Sequence, residues 1–249
     1  METELLPGEE VHDLHLNGLR IIQKQGGFRF GMDAVLLADF ARIRGGDTVA
    51  DFGTGEGVLP LLLRGRGKGA VYEAFEIQEE MAELARRNFA LNALAGRVWT
   101  APAERAWEQL GQHSVNAVIC NPPYGRSGTT VVNPDERRAT ARHQGPEGIL
   151  PWLKSAERIL RGNGRLALIY PAGELPELLA SLNSCHLTPK RLRLIHPRAD
   201  RPAKLALIDA VKGARPHLEA EPPLIVFDAE NRWTDEVRRI YHMQADGEA

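Results

Sequence analysis

Asn121, Pro122, Pro123 and Tyr124 follow directly on the apolar run Val115 to Cys120, and their types and order point to one kind of chemistry. The run is short and bounded by turn formers, which reads as a strand buried on both faces of a parallel sheet. Two successive prolines cannot donate to a sheet ladder, and the first pushes Asn121 into an extended conformation. The Asn121 side chain and the Pro122 carbonyl are thereby held on a stiff turn at the carboxyl end of a strand, where open α/β sheets receive their ligands. An amino group on a planar carbon, as in adenine or a carboxamide, is a weak nucleophile because its lone pair is delocalised. Two acceptors that hold its hydrogens, the Asn121 side-chain oxygen and the Pro122 carbonyl, favour a more tetrahedral nitrogen. Tyr124 is able to stack on the flat group that carries it. Against a cationic electrophile no strong base is needed, and the chemistry reduces to positioning and electrostatic preorganisation.

Such a turn needs a sheet behind it. Thr48 to Phe52 reads as a strand that runs into glycines at 53, 55 and 57 and then a helix from Val58 to Leu63, with Pro60 in the helix's first turn. Val58 stands where the dinucleotide fingerprint G-x-G-x-x-G has its third glycine, which weakens an NAD reading. Ala70 to Ile77 reads as the next strand. It ends at Glu76, a carboxylate placed to meet ribose hydroxyls, with Glu73 as competitor and Ile77 fit to lie on an adenine ring. A helix from Glu79 to about Ala93 follows, with Met81, Leu84, Ala85, Phe89 and Leu91 near one face and Arg86 and Arg87 at a solvated edge. Strands are expected near Arg97 to Pro102, over Arg165 to Tyr170, Arg191 to His196 and Lys204 to Val211, with helices over Gly148 to Leu160 and Leu175 to Leu182. Before all of these, Leu14 to Gln23 carries an Asn-Gly pair between alternating residues, the mark of a hairpin. It leads through a glycine-broken loop to Asp33, a candidate helix cap.

Asn121-Pro122-Pro123-Tyr124 resembles motif IV of the amino-methyltransferases that use S-adenosylmethionine (SAM), and Asp51-x-Gly53-x-Gly55-x-Gly57 resembles motif I of the class I SAM methyltransferases. Together with Phe28 to Asp33, Phe75 to Gln78 and His196 to Asp200, these make the whole chain similar to the bacterial tRNA1(Val) adenine N6-methyltransferases. The resemblance implies a Rossmann-like α/β fold: a seven-stranded, mostly parallel sheet of order 3-2-1-4-5-7-6, strand 7 antiparallel, with helices on both faces. It implies methyl transfer from SAM to adenine N6 in tRNA, with protein glutamine N5 or a non-catalytic SAM-binding role as alternatives. It further implies that Asn121, Pro122, Pro123 and Tyr124 are catalytic. SAM contacts are expected from Gln25, Phe30, Asp51, Gly53, Gly55, Glu76, Ile77, Glu104 and Asn121. Family members commonly carry an acidic or amide residue just after the third strand. Here Pro102 stands nearest that place, and Glu104 is the closest carboxylate.

The 249 residues fit one α/β unit, divided here into an N-terminal ribbon and cofactor-covering loop (1–32) and a methyltransferase domain with a C-terminal appendage (33–249). A formal charge of -2 excludes a bulk polycation, so a nucleic-acid partner must be met by a local basic patch. One candidate is the stretch Lys190 to Arg215, with Arg191, Arg193 and Arg198 as phosphate contacts. Arg126 and Arg142, in the long polar stretch after Tyr124, are expected to touch substrate. Two cysteines, Cys120 and Cys185, support neither a disulfide framework nor a cysteine-built zinc site, and no metal is expected. The acidic start lacks the pattern of a signal peptide, and no apolar run nears the length of a membrane span. The expectation is a soluble, cytoplasmic protein.

Overall fold

The computed structural model describes residues 5–25, 31–122 and 148–242. Strands β1 (Glu9–Asp13) and β2 (Arg20–Lys24) form an antiparallel ribbon, closed where the Leu14 N–H donates to the Leu19 carbonyl at 2.9 Å. Asn17 and Gly18 take positive φ between them, as the pair's turn preference anticipates. The first strand of the ribbon lies upstream of Leu14, so the hairpin begins earlier than its alternating pattern indicates.

Helix α1 (Met32–Phe40) is apolar almost all round because it is covered on both sides. Its N-cap is Gly31, so Asp33 lies in the first turn and not at the cap. Then β3 (Thr48–Phe52), α2 (Val58–Gly65), β4 (Val71–Glu76), α3 (Glu79–Leu91), β5 (Gly96–Thr100), α4 (Ala106–Leu110) and β6 (Val115–Cys120) alternate along the chain. After the undescribed stretch come α5 (Leu150–Ile159), β7 (Leu160–Pro171), α6 (Leu175–Ser184), β8 (Leu187–His196) and β9 (Leu205–Lys212). The short strands β10 (Glu219–Ala220) and β11 (Leu224–Ile225) precede the last helix, α7 (Asp235–Ile240). The buried face of α3 is Ala82, Leu84, Ala85, Asn88 and Phe89, while Met81 and Leu91 are only half-buried.

The sheet runs β10-β8-β9-β7-β6-β3-β4-β5, with β11 also on β8. Counting from β3, the seven longer strands follow 3-2-1-4-5-7-6, and β9 is antiparallel to both neighbours. Among the described residues the sheet has nine strands, the seven expected and two more, because the appendage adds two short parallel strands along β8. Successive residues alternate between two cores, as the pleat requires. Val49, Ile119, Ala167 and Leu207 pack on the layer of α1, α2, α3 and α7. Ala50, Val118, Leu166 and Ile208 pack on that of α4, α5 and α6. With both faces covered, the parallel strands of the centre are nearly continuous in apolar residues. Among the described residues, no helix is long and apolar enough to cross a membrane.

Candidate active site

Four parallel strands end along one edge of the sheet. Phe52 of β3 pairs with Phe75 of β4 on one side and Cys120 of β6 on the other, and Glu76 of β4 pairs with Thr100 of β5. Asn121 and Gly53, each one residue past its strand, are therefore neighbours, their backbones roughly 5 Å apart by strand spacing. Asn121 is half-buried and Pro122 buried. The glycine turn is fixed by hydrogen bonds: the N–H groups of Gly53 and Thr54 both donate to the Phe75 carbonyl at 2.9 Å, and Gly57 N–H donates to Thr54.

Two glycines here are required by geometry. Gly53 has φ of 70°, and a Cβ there would come within 2.9 Å of the Trp152 ring. Gly55 has φ of 56° and faces open space, so the backbone at this point is bare and reachable by a ligand. Trp152, from the first turn of α5, also packs edge-on against Phe52, which in turn meets Phe75 edge-on, while Phe75 stacks on Trp99. These rings form an aromatic floor beneath the turn. Nothing in the periodicity of the sequence singles out Trp152 or Trp99 for it.

Asp51 is fully buried beside this turn, and among the described residues neither of its carboxylate oxygens has a hydrogen-bond partner. The Thr54 hydroxyl is buried and unpartnered in the same way. Desolvation pushes the Asp51 pKa up to about 7. Thr54 lies near enough to offset this in part without reaching hydrogen-bond geometry, and the charge of Glu76 adds to the rise. Buried orphans of this kind cost roughly 1–3 kcal/mol each. Glu76, by contrast, is anchored: one carboxylate oxygen accepts from Gly55 N–H at 3.0 Å and the other from Gln78 N–H at 2.9 Å. Each oxygen keeps a lone pair for a further donor. Its competitor Glu73 is occupied by the indole N–H of Trp99 at 2.7 Å. Ile77 is 55% exposed at the strand end, an apolar side chain held in the open. Glu104 is exposed in the single turn Ala103–Arg105 just after β5.

Gln25 is not brought to the turn: its side chain donates to Glu10 within the ribbon at 2.7 Å. The ribbon residue that reaches the turn is Gln23, buried, donating to Glu56 at 2.7 Å. Burial raises the pKa of that Glu56. Arg87 is no solvated edge either, since it forms a two-pronged pair with Glu9 of the ribbon at 2.6 and 2.7 Å.

The expected track of arginines divides. Arg191 is buried, paired with Glu221 at 2.5 Å and Asp209 at 3.6 Å, bonded to the Phe40 carbonyl and seated over the Phe40 ring. Arg193 pairs with Glu236 of α7 at 2.6 Å and donates to the Pro222 carbonyl. Both fasten the appendage to the sheet, and their charges are met internally, which corrects their reading as phosphate contacts. Arg198 lies in the β8–β9 loop at the same end of the sheet as Asn121, with a looser pair to Asp200 at 3.5 Å. Phe30, Pro123, Tyr124, Arg126 and Arg142 lie outside the described residues. Among the described residues, no group of three or more His, Cys, Asp or Glu side chains is arranged to hold a metal. Cys120 is buried in β6, and burial raises its thiol pKa well above the usual value.

The model of the methyltransferase small domain matches residues 33–173, which hold α1, the glycine turn, Glu76 and Asn121. The chain belongs to the methyltransferase small domain family. As a member of that family it is 28% identical over 228 residues to the tRNA1(Val) (adenine(37)-N6)-methyltransferase of Tolumonas auensis, covering 90% of this chain and 93% of that protein. Among solved structures, a predicted O-methyltransferase from Agrobacterium tumefaciens superposes with a TM-score of 0.67 at 27% identity, over 84% of this chain and 95% of that one. A geranyl diphosphate methyltransferase in complex with SAM matches with a TM-score of 0.52 at 15% identity, over 72% of this chain and 84% of that one, a likeness of fold alone.

Proposed function

We propose that this methyltransferase moves the methyl group of SAM to the N6 amino nitrogen of an adenine in tRNA. The observation that carries the reading is the buried, unpartnered Asp51 carboxylate beside a bare glycine backbone, one strand from Asn121. A group rich in N–H donors and positively charged suits two orphaned carboxylate oxygens, and the ammonium of SAM's methionine end is such a group. The substrate class comes from relatives named as tRNA adenine N6-methyltransferases, which match this chain over most of its length.

Bound SAM would supply a methyl group on a cationic sulfonium: as the N6–carbon bond forms the carbon–sulfur bond breaks, S-adenosylhomocysteine leaves as the neutral thioether, and the now acidic N6 proton passes to solvent. The residues of the chain do the rest by holding. Asp51 accepts from the ammonium, and the free lone pairs of Glu76 accept from ribose hydroxyls. Ile77 lies against the adenine of the cofactor, and Gly53 and Gly55 let it approach the backbone. Asn121 and the Pro122 carbonyl accept the two N6 hydrogens of the target adenine and turn the nitrogen's lone pair outward. Tyr124 stacks on that base. On the RNA, Arg198 meets phosphate, and Arg126 and Arg142 belong to the same expectation.

Incubation with labelled SAM and separate pools of tRNA, ribosomal RNA and protein, followed by nucleoside mass spectrometry, tests this. N6-methyladenosine in the tRNA pool is the expected product. Label only in protein, recovered as methylglutamine, would overturn the assignment of substrate and leave the role of Asn121 standing.

A further inference from the structure

The end of the sheet opposite the candidate active site also carries a concavity. There the segment after α1 and the start of β7 open a cavity of about 870 Å³ that runs along the sheet to Arg191 and Arg193 in the middle of β8. Seven cationic side chains and three carboxylates line it. Four of the cations have internal partners. Lys68 donates to the carbonyls of Ala38, Asp39 and Ala41, Arg165 pairs with Asp209, and Arg191 and Arg193 make the pairs described above. Of the carboxylates, Glu221 is taken by Arg191, Asp47 accepts the Arg44 backbone N–H, and Asp39 acts on the Lys68 charge. Three arginines are left over. Arg42, Arg44 and Arg161 are exposed and have no side-chain hydrogen bond or ion pair among the described residues.

Nothing in the fold calls for these three. Arg161 stands on a bulge of three extra residues: Val115 of β6 pairs with Leu160 and Ala117 with Arg165, so the intervening β7 residues are pushed outward beside the cavity. Gathering uncompensated like charges round a concave rim costs self-repulsion and concentrates positive potential there. The three side chains rise from two separate elements and remain exposed, which suits a chain of phosphates more than one enclosed ion. The concavity is also within reach of the proposed substrate. β6, from Val115 at this end to Cys120 at the other, spans about 17 Å, or roughly five steps of a nucleic-acid helix.

We propose that this groove is a second RNA contact, in which Arg42, Arg44 and Arg161 hold the phosphodiester backbone of the tRNA whose adenine is at the other end of the sheet. The proposal rests on the tRNA reading above. Its test is the triple variant Arg42→Gln, Arg44→Gln and Arg161→Gln beside the wild type. Methyl transfer to full-length tRNA and tRNA binding are each measured over a range of KCl. Loss of three phosphate contacts should raise KM about tenfold or more at low salt with kcat and SAM affinity unchanged. The slope of log K against log salt should become shallower by two to three. Each single variant should remove about one unit of slope, which keeps the test available if the triple variant folds poorly. An unchanged slope in a wild type that does methylate tRNA would overturn the groove alone. A wild type that methylates no tRNA would overturn the substrate reading and the groove with it. Inorganic tripolyphosphate that raises the Tm of the wild type, but not of the triple variant, while KM for tRNA stays the same would make this a small-anion site and overturn the RNA assignment.

Discussion

The side chain of Asn88 grips the backbone of Ile22 from both sides: its oxygen accepts the Ile22 N–H at 2.7 Å, and its amide donates to the Ile22 carbonyl at 3.1 Å. The same amide donates to the Glu56 carbonyl in the glycine turn at 2.9 Å. One buried residue on α3 thus ties the N-terminal ribbon to the loop proposed to hold the cofactor. The Gln23–Glu56 bond makes the same link a second time. Asn88→Ala removes three hydrogen bonds and leaves buried backbone groups unpaired, so a loss of about 2–4 kcal/mol is expected. Urea unfolding measures it. SAM affinity should fall as well, and a variant that loses stability yet binds SAM as before would uncouple the ribbon from the turn.

Asp51 makes the cofactor site sensitive to pH. Its pKa is pushed up to about 7 in the folded chain, so the burden of the buried charge is fully present above pH 7 and is relieved as pH falls toward the usual carboxylate range. Ligand-free protein should therefore gain stability on acidification through that window. Binding runs the other way. A cationic ammonium prefers the carboxylate, so below pH 7 SAM must displace a proton, and its affinity should fall by up to about tenfold per pH unit. An α-amino group stays largely protonated up to pH 7, so the titrating partner is a buried carboxylate of the turn, Asp51 or Glu56, and the Asp51 variant tells them apart. Calorimetry from pH 5 to 8 checks this, with Asp51→Asn expected to bind weakly and to show a flat profile.

Arg191 illustrates a role that its sequence neighbours conceal. Removing it by Arg191→Ala leaves Glu221 without its close partner and Asp209 with Arg165 alone, at an expected cost of about 3–5 kcal/mol. Arg191→Lys should recover little, because a single ammonium lacks the fork that reaches a carboxylate and the Phe40 carbonyl together. Chemical denaturation reads the loss, while the salt dependence of tRNA binding should stay unchanged. A shallower salt slope would return Arg191 to the phosphate contacts.

Legibility followed the range of the interactions. β3 and β6 are short runs stopped by glycine and by the prolines after Asn121, and β4 alternates up to the polar start of α3, so the residues at their ends, Gly53, Glu76 and Asn121, were readable from local pattern. The hairpin was readable from Asn17-Gly18, though its first strand was not, since Glu9 to Asp13 is mostly polar. The ion pairs of Arg191 and Arg193 join residues far apart along the chain, and no local signal distinguishes an arginine paired in this way from one that awaits phosphate. The exchange of Gln25 for Gln23 has the same origin. Gln25 lies past the end of β2, where it folds back on Glu10, and only the docking of the ribbon on α3 decides which amide meets Glu56. Trp152 was hidden because its contact, Gly53, belongs to another layer of the fold.

Asn121 separates chemistry from binding. It follows β6 at the strand edge shared with the glycine turn, yet its proposed bond is to the target amino group and not to the ammonium or ribose of the cofactor. Asn121→Ala should slow methyl transfer by about 100-fold or more, the scale of losing one preorganised hydrogen-bond partner, with SAM affinity nearly intact. Asn121→Asp keeps an acceptor at the same place and should retain more activity than the alanine variant. Single-turnover rates with saturating tRNA, beside calorimetric SAM affinities, distinguish the outcomes. Equal rates for wild type and Asn121→Ala would remove this residue from the mechanism. Equal losses in rate and SAM affinity would make it part of the cofactor's seat, the contact that the family resemblance also implies for it, because a group that holds only the reacting nitrogen would leave SAM affinity intact.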